Sequence, residues 1–157
     1  MAVAGLSTLG ITFGYGVETT AGTKPTSFKE LSRINEIGGI NVEAEQIDAS
    51  ALKDAITRYI QGRADTGGSF PVTVNLTDDT QAEWEEVFTT AAGLTGGKRM
   101  WFETIIPGLT KAFFVVAQLP PAFPQSEMGQ NGLLTSEFNL VIEEYKGLDA
   151  KVEFSGE

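Results

Sequence analysis

Residues 69–94, SFPVTVNLTDDTQAEWEEVFTTAAGL, constrain the fold more than any other stretch. Phe70, Val72, Val74 and Leu76 alternate with Pro71, Thr73, Asn75 and Thr77. An alternation of period two puts the four apolar side chains on one face of a half-buried strand. The pattern breaks at Thr77-Asp78-Asp79-Thr80. Thr77 or Asp78 caps a helix there, with Gln81 in capping-box position relative to Asp78. Asp78, Asp79 and Glu83 set negative charge at the positive end of the helix dipole. Trp84, Val87, Phe88 and Ala91 then share one helical face, which makes them the core residues of a helix over about 78–92. Gly93 is expected to be the left-handed residue past its end. Trp84 and Phe88 carry enough apolar area to cover a sheet.

Strand patterns fill most of the remaining chain. Ile11, Phe13 and Tyr15 alternate as a first strand. Residues 17–28, VETTAGTKPTSF, read as a long exposed loop. Residues 29–37 are weakly strand-like, Gly38-Gly39 is a turn signal, and Ile40, Val42 and Ala44 alternate again, so the two segments read as a hairpin. In residues 48–68, Asp48 or Ser50 is placed to cap a short helical turn holding Leu52, Ala55 and Ile56, followed by Tyr59, Ile60 and a glycine-punctuated loop. Residues 99–106 and 111–119 form a hairpin about Pro107-Gly108, with apolar residues on both faces. Residues 120–132, PPAFPQSEMGQNG, are a second long loop. In 133–144 Phe138, Leu140 and Ile142 face inward, and Val152 and Phe154 mark a short last strand. The expectation is one mainly β (α+β) domain over 1–157, built from antiparallel hairpins with one helix. The two-faced hairpin sets a condition, because an antiparallel sheet normally leaves one face to water. The helix must cover one side, and a second sheet or a partner subunit the other.

The 157 residues contain no histidine and no cysteine. The commonest general base, the commonest metal ligand and any disulfide framework are therefore missing. A Ser-His-Asp triad cannot exist, and no motif points to a Ser-Lys pair. The stretch 93–99, GLTGGKR, departs from a phosphate loop, because Ala92 stands where its first glycine belongs, Arg99 replaces the magnesium-binding hydroxyl, and a helix precedes it. Gly14-Tyr15-Gly16 lacks the third glycine and the helix of a dinucleotide site. Adjacent carboxylates at 78–79, 85–86 and 143–144 point in different directions and read as helix-start or solvated charges. No catalytic, metal or cofactor residue is expected. A net charge of −10 opposes binding to nucleic-acid phosphates. Residues 1–16 have no basic n-region and are broken by glycine, unlike a signal peptide, and the longest apolar run, 112–117, is far short of a membrane span.

Three stretches resemble the major tail tube proteins of long, flexible-tailed, siphophage-type bacteriophages: GYGVETTAGTKPTSF at 14–28, IDASALKDAITRYIQGRADTGGSFPVTVNL at 47–76, and the order strand, helix, hairpin, proline-rich loop, strand that follows. The resemblance implies an antiparallel β-sandwich or barrel-like domain with one flanking helix and an extended N-terminal arm around 17–28. Six subunits would form a ring around a channel and rings would stack into a tail tube, as in the inner tube of type VI secretion. Thr19, Thr20, Thr23, Lys24, Pro25, Phe28, Tyr59, Pro124 and Gln125 are the implied inter-subunit contacts. Glu43, Glu45 and Glu137 are the implied lumen carboxylates, past which DNA slides without being held. The implied partners are further copies of the chain, a tape measure protein, a tail terminator and tail-tip proteins. The implied location is the virion tail, after synthesis in the bacterial cytoplasm, with no membrane contact. Deleting 17–28 is expected to leave a folded monomer. Two other readings stay open: a monomeric β-sandwich binding module, and a tail terminator or connector that forms a single ring.

Overall fold

The computed structural model describes residues 4–155; the part of the N-terminal reading that falls on residues 1–3 lies outside them. The strands are β1 (Thr12–Val17), β2 (Phe28–Leu31), β3 (Ile34–Ile37), β4 (Glu43–Asp48), β5 (Tyr59–Asp65), β6 (Ser69–Asn75), β7 (Met100–Ile105), β8 (Lys111–Gln118), β9 (Thr135–Ala150) and β10 (Phe154–Ser155), and the helix is α1 (Asp78–Ala92). Eight strands form one sheet in the order β10-β2-β1-β7-β8-β9-β6-β3, and β4 and β5 form a second sheet of two. Every pairing is antiparallel except that of β10 with β2. The fold is mainly β with one helix, as the sequence patterns imply.

Chain continuity curls the large sheet. In a flat sheet β2 and β3 would lie about 29 Å apart, six steps of ~4.8 Å. Only Ser32 and Arg33 separate them in the chain, a reach of about 11 Å. The sheet therefore bends until its two margins meet at this corner. Arg33 sits there in the left-handed region (φ 55°), and its carbonyl accepts from the Asn75 amide at 3.0 Å. The strands β2 and β3 do not pair with each other, so the barrel is not closed by hydrogen bonds.

The helix fills the concave side. Thr77 is its N-cap, and the capping box closes on Thr80, not on Gln81. The Thr80 hydroxyl is buried and donates to the Asn75 carbonyl at 2.9 Å, a contact open to a short side chain one position before Gln81. Trp84 and Val87 are fully buried, with Phe88 and Ala91 packed beside them. The Trp84 ring stacks on Phe138 of β9 at 4.0 Å and 7°. Gly93 ends the helix with φ −89°, so it is not left-handed; Gly96 and Gly97 take that conformation in the turn beyond.

The alternation at Phe70, Val72 and Val74 reproduces the buried face of β6. Leu76 lies past the strand's end, and its amide donates to the Leu134 carbonyl at 3.0 Å. The strands β7 and β8 form the expected hairpin, with Trp101 opposite Val116. Its two faces belong to two clusters. Met100, Phe102, Val115 and Ala117 join the main core under α1, while Trp101, Ala112, Phe114 and Val116 join a second cluster with Phe28. Within the chain that second face is covered not by a second sheet but by Lys24, Phe28 and the C-terminal Val152 and Phe154. The strand β9 runs for 16 residues, its first half paired with β6 and its second with β8.

The hairpin expected across 29–45 does not form. The strand β3 pairs with β6, and β4 pairs with β5. Gly38 is drawn to the body by its amide, which donates to the Pro71 carbonyl at 2.7 Å. Residues 48–68 form no helix: a single turn, in which the Asp54 amide donates to the Ala51 carbonyl at 3.0 Å, lies in the loop of the β4–β5 hairpin, and 59–65 are its second strand.

Replacing Trp84 with alanine removes the largest fully buried side chain and leaves a cavity against Phe138. The expected cost is about 3–5 kcal/mol, read as a lower urea midpoint at unchanged slope. An unchanged midpoint would place α1 off the core.

Candidate assembly surface

Three segments are added to the curled sheet and its helix: residues 17–28, the β4–β5 hairpin and residues 119–134. Each is anchored differently.

The 17–28 segment is pinned at its start. Glu18 is 1% exposed, and its carboxylate accepts four hydrogen bonds. They come from Trp101 Nε1 (2.7 Å), the Gly22 amide (2.9 Å), the Arg99 amide (2.9 Å) and Arg99 Nε (3.2 Å). Arg99 also reaches Glu143 at 3.3 Å and Glu144 at 2.9 Å on β9. One guanidinium thus ties the loop, the start of β7 and the middle of β9 together. At the far end Lys24 Nζ lies 4.1 Å from the centroid of the Phe114 ring and pairs with Asp149 at 3.4 Å, while Pro25 is buried.

An extended arm is therefore the wrong description of 17–28. Phe28 is 1% exposed, inside the chain's own second cluster, so in a lone subunit with residues 151–155 in place it is covered from within. Pro25 is buried as well. Thr19, Thr20 and Thr23 stay exposed at the loop's tip, and Lys24 is half-buried. The expectation that deleting 17–28 leaves a folded monomer reverses, because the deletion would strip Trp101 and Phe114 of their cover.

The Gly14-Tyr15-Gly16 triplet has a packing explanation. A Cβ on Gly14 would lie 2.3 Å from the Phe154 ring and 2.4 Å from the Lys29 carbonyl; one on Gly16 would lie 2.6 Å from the Ser27 carbonyl. Tyr15 faces the other way, toward α1, and its hydroxyl donates to Glu86 at 3.3 Å. Glu86 also pairs with Lys29. Glu83 accepts from the Ser32 amide (3.0 Å) and hydroxyl (2.9 Å) at the corner. Sequence reading assigned Glu83 to the helix dipole and Glu86 to a solvated face. Both clamp the helix to the sheet margin, and no local signal marks them, since their partners are 51 and 57 residues away.

The β4–β5 hairpin is held by itself. Among the described residues its strands pair only with each other. At the tip the Arg58 amide donates to Ser50 Oγ (2.7 Å), the Ser50 amide to Asp48 Oδ1 (2.9 Å), and the Ala51 amide to Asp54 Oδ2 (2.8 Å). Asp48 and Ser50, read as helix caps, use the same side-chain chemistry to close a loop. Apolar side chains are left in water: Leu52 is fully exposed, Ile56 80%, Tyr59 59% and Ile60 56%. Glu43 and Glu45 are exposed on this hairpin, whereas Glu137 is exposed on β9, so the three candidate lumen carboxylates lie on two different sheets.

The 119–134 loop folds back onto the helix. Phe123 stacks on Phe88 at 5.7 Å and meets Phe138 edge-on at 5.2 Å. Ser126 Oγ accepts from the Glu137 amide at 2.9 Å. Pro124 is half-buried beside this anchor and Gln125 is exposed.

Two carboxylates lie inside the molecule. Burial alone would raise the pKa of Glu18, but the hydrogen bonds from Trp101, Gly22 and Arg99 outweigh it and hold the group below the ordinary 4.5. Burial raises the pKa of Glu103, which accepts one hydrogen bond, from the Val152 amide at 2.8 Å, while its Oε1 is buried with none. Among the described residues no group of three or more carboxylates could hold a metal ion, and no helix is long and apolar enough to cross a membrane.

No protein-family model and no curated protein matches this chain. Among solved structures it is similar to a chain in the cryo-EM structure of the anti-feeding prophage (AFP) baseplate, 6-fold symmetrised. The TM-score is 0.51 at 10% identity, over 93% of this chain and 96% of that chain. The likeness is one of fold, end to end, with a component of a phage-like particle.

Because Glu18 titrates lower in the folded chain than in the unfolded one, its stabilisation is present above pH 4.5 and is lost as pH falls through the lowered value. Glu18→Gln is expected to cost about 2 kcal/mol at neutral pH. Urea unfolding between about pH 3 and 7 should also show a shallower acid limb for the variant. Parallel limbs would remove Glu18 from the acid transition.

Proposed function

We propose that this chain is a non-catalytic structural subunit of a phage tail or tail-like particle. In this reading identical copies pack into six-fold rings, and the rings stack into a tube through which DNA passes. The observation that carries the proposal is the end-to-end likeness of fold to a chain of a six-fold symmetrised, phage-like baseplate. The resemblance of residues 14–28 and 47–76 to siphophage tail tube proteins supports the finer assignment to a tube.

The β4–β5 hairpin supports self-association on physical grounds. An isolated two-stranded hairpin is at best marginally stable in water. This one carries Leu52, Ile56, Tyr59 and Ile60 exposed, where a lone subunit leaves them hydrated. A neighbouring copy would bury them. Contacts between unlike patches close into a ring when the rotation allows, and head-to-tail stacking does not close, so a filament grows. With a chain charge of −10, a channel wall built from such subunits would repel the DNA backbone.

Electron microscopy of the concentrated protein tests this reading. Stacked rings are expected. Single rings that never stack would favour a terminator or connector, and particles that stay monomeric at every concentration would favour a binding module. The double variant Leu52→Ser/Ile56→Ser should keep its stability within about 0.5 kcal/mol, since both side chains are exposed, and should lose assembly. Assembly at the wild-type concentration would take the hairpin tip out of the interface.

A further inference from the structure

We infer that residues 151–155 are an exchangeable segment, and that the slot they fill in one copy takes the same segment from a second copy in the assembly. The inference rests on the self-association proposed above.

The slot is built, not incidental. Phe154 lies against Gly14, where any side chain would collide with its ring. Beneath it the second cluster presents Phe28, Trp101 and Phe114. Glu103 stands in the same layer with one oxygen bonded to the Val152 amide. The occupant is lightly held by comparison. Among the described residues, its pairing with β2 sets Phe154 against Phe28 and Ser155 against Lys29. Residues 151–153 belong to no strand, and Val152 and Phe154 are only half-buried.

The chemistry identifies what could replace the segment. An empty slot would expose an aromatic cluster and the outer edge of β2, both costly to leave open, and would leave Glu103 to water in place of the Val152 amide. The one sequence known to satisfy all three is residues 151–155, and every neighbouring copy carries it. Exchange re-forms each contact with the same partners, so the net cost is mainly the entropy of association. Within a ring or stack that entropy is already spent on other contacts. The 151–153 linker, free of sheet hydrogen bonds to either side, is the stretch that would change direction.

Two experiments test this. The first adds a synthetic peptide of residues 148–157 to the unmodified protein under assembling conditions. The peptide is used at millimolar concentration, the range of effective concentration for a short tether. It should occupy vacated slots and reduce the assembled fraction at least about twofold; a scrambled peptide should not. Undiminished assembly overturns the exchange. The second uses a chain ending at Ala150, with circular dichroism to establish its fold, and full-length Phe154→Ala as a variant that keeps the backbone. Neither is expected to form assemblies alone, and either, mixed with the full-length chain, should be incorporated and shorten them. If both variants assemble as the full-length chain does, the segment takes no part in the contact, while self-association stands. If the full-length chain itself never assembles, the proposed function fails, and the exchange with it.

Discussion

The fold depends on one short covalent link. Two residues, Ser32 and Arg33, join strands that hydrogen bonding places at opposite ends of a seven-strand antiparallel order. A flat sheet cannot satisfy that link, so curvature is imposed by chain connectivity before any side chain packs. The concave side this creates must be filled to native density. The helix does so with Trp84 stacked on Phe138. Glu83 and Glu86 then lock the helix to the corner strand that made the curvature necessary. The corner, the helix and its two carboxylates are one mechanical unit.

The β7–β8 hairpin is the second organising element, because it is apolar on both faces. A larger protein would place a second sheet against the outer face. This chain uses a loop and its own C-terminal segment, and both covers need polar anchors because neither is regular structure along its length. Glu18 supplies one anchor with four accepted hydrogen bonds, and its charge is retained because every donor it meets stabilises the ionised form. Glu103 supplies the other with a single bond, so the C-terminal cover is the looser of the two. The β4–β5 hairpin, outside the curled sheet, carries Leu52, Ile56, Tyr59 and Ile60 exposed in a lone copy, beside other exposed apolar residues such as Leu9, Met128 and Leu133.

Much of this was legible in the residues themselves. The Thr77 cap and the spacing of Trp84, Val87, Phe88 and Ala91 place the helix at its observed bounds, because capping and periodicity are local. Alternation at Phe70, Val72 and Val74, and at Phe138 and Leu140, marks buried faces, because a pleat has period two. The 48–68 reading failed where two local rules compete. Asp48 and Ser50 offer side-chain oxygens to nearby amides, and the same chemistry serves a helix start or a hairpin loop. The burial of Pro25 and Phe28 within the subunit was not legible for a different reason, since a loop rich in Thr, Gly and Pro looks exposed whatever it lies against.

The sequence by itself determined much of the inventory: one helix, its bounds, most of the strands but not β5, a hairpin buried on both faces, and a side-chain set without histidine or cysteine. Tertiary structure decided which strands pair, that β2 and β3 take opposite margins of one curled sheet, and which carboxylates turn inward. The physical reason is range. Caps, periodicity and turn residues act within a few positions of the chain. The Glu18–Arg99 contact spans 81 residues and the Ser32–Glu83 contact 51, and neither leaves a local trace at either end.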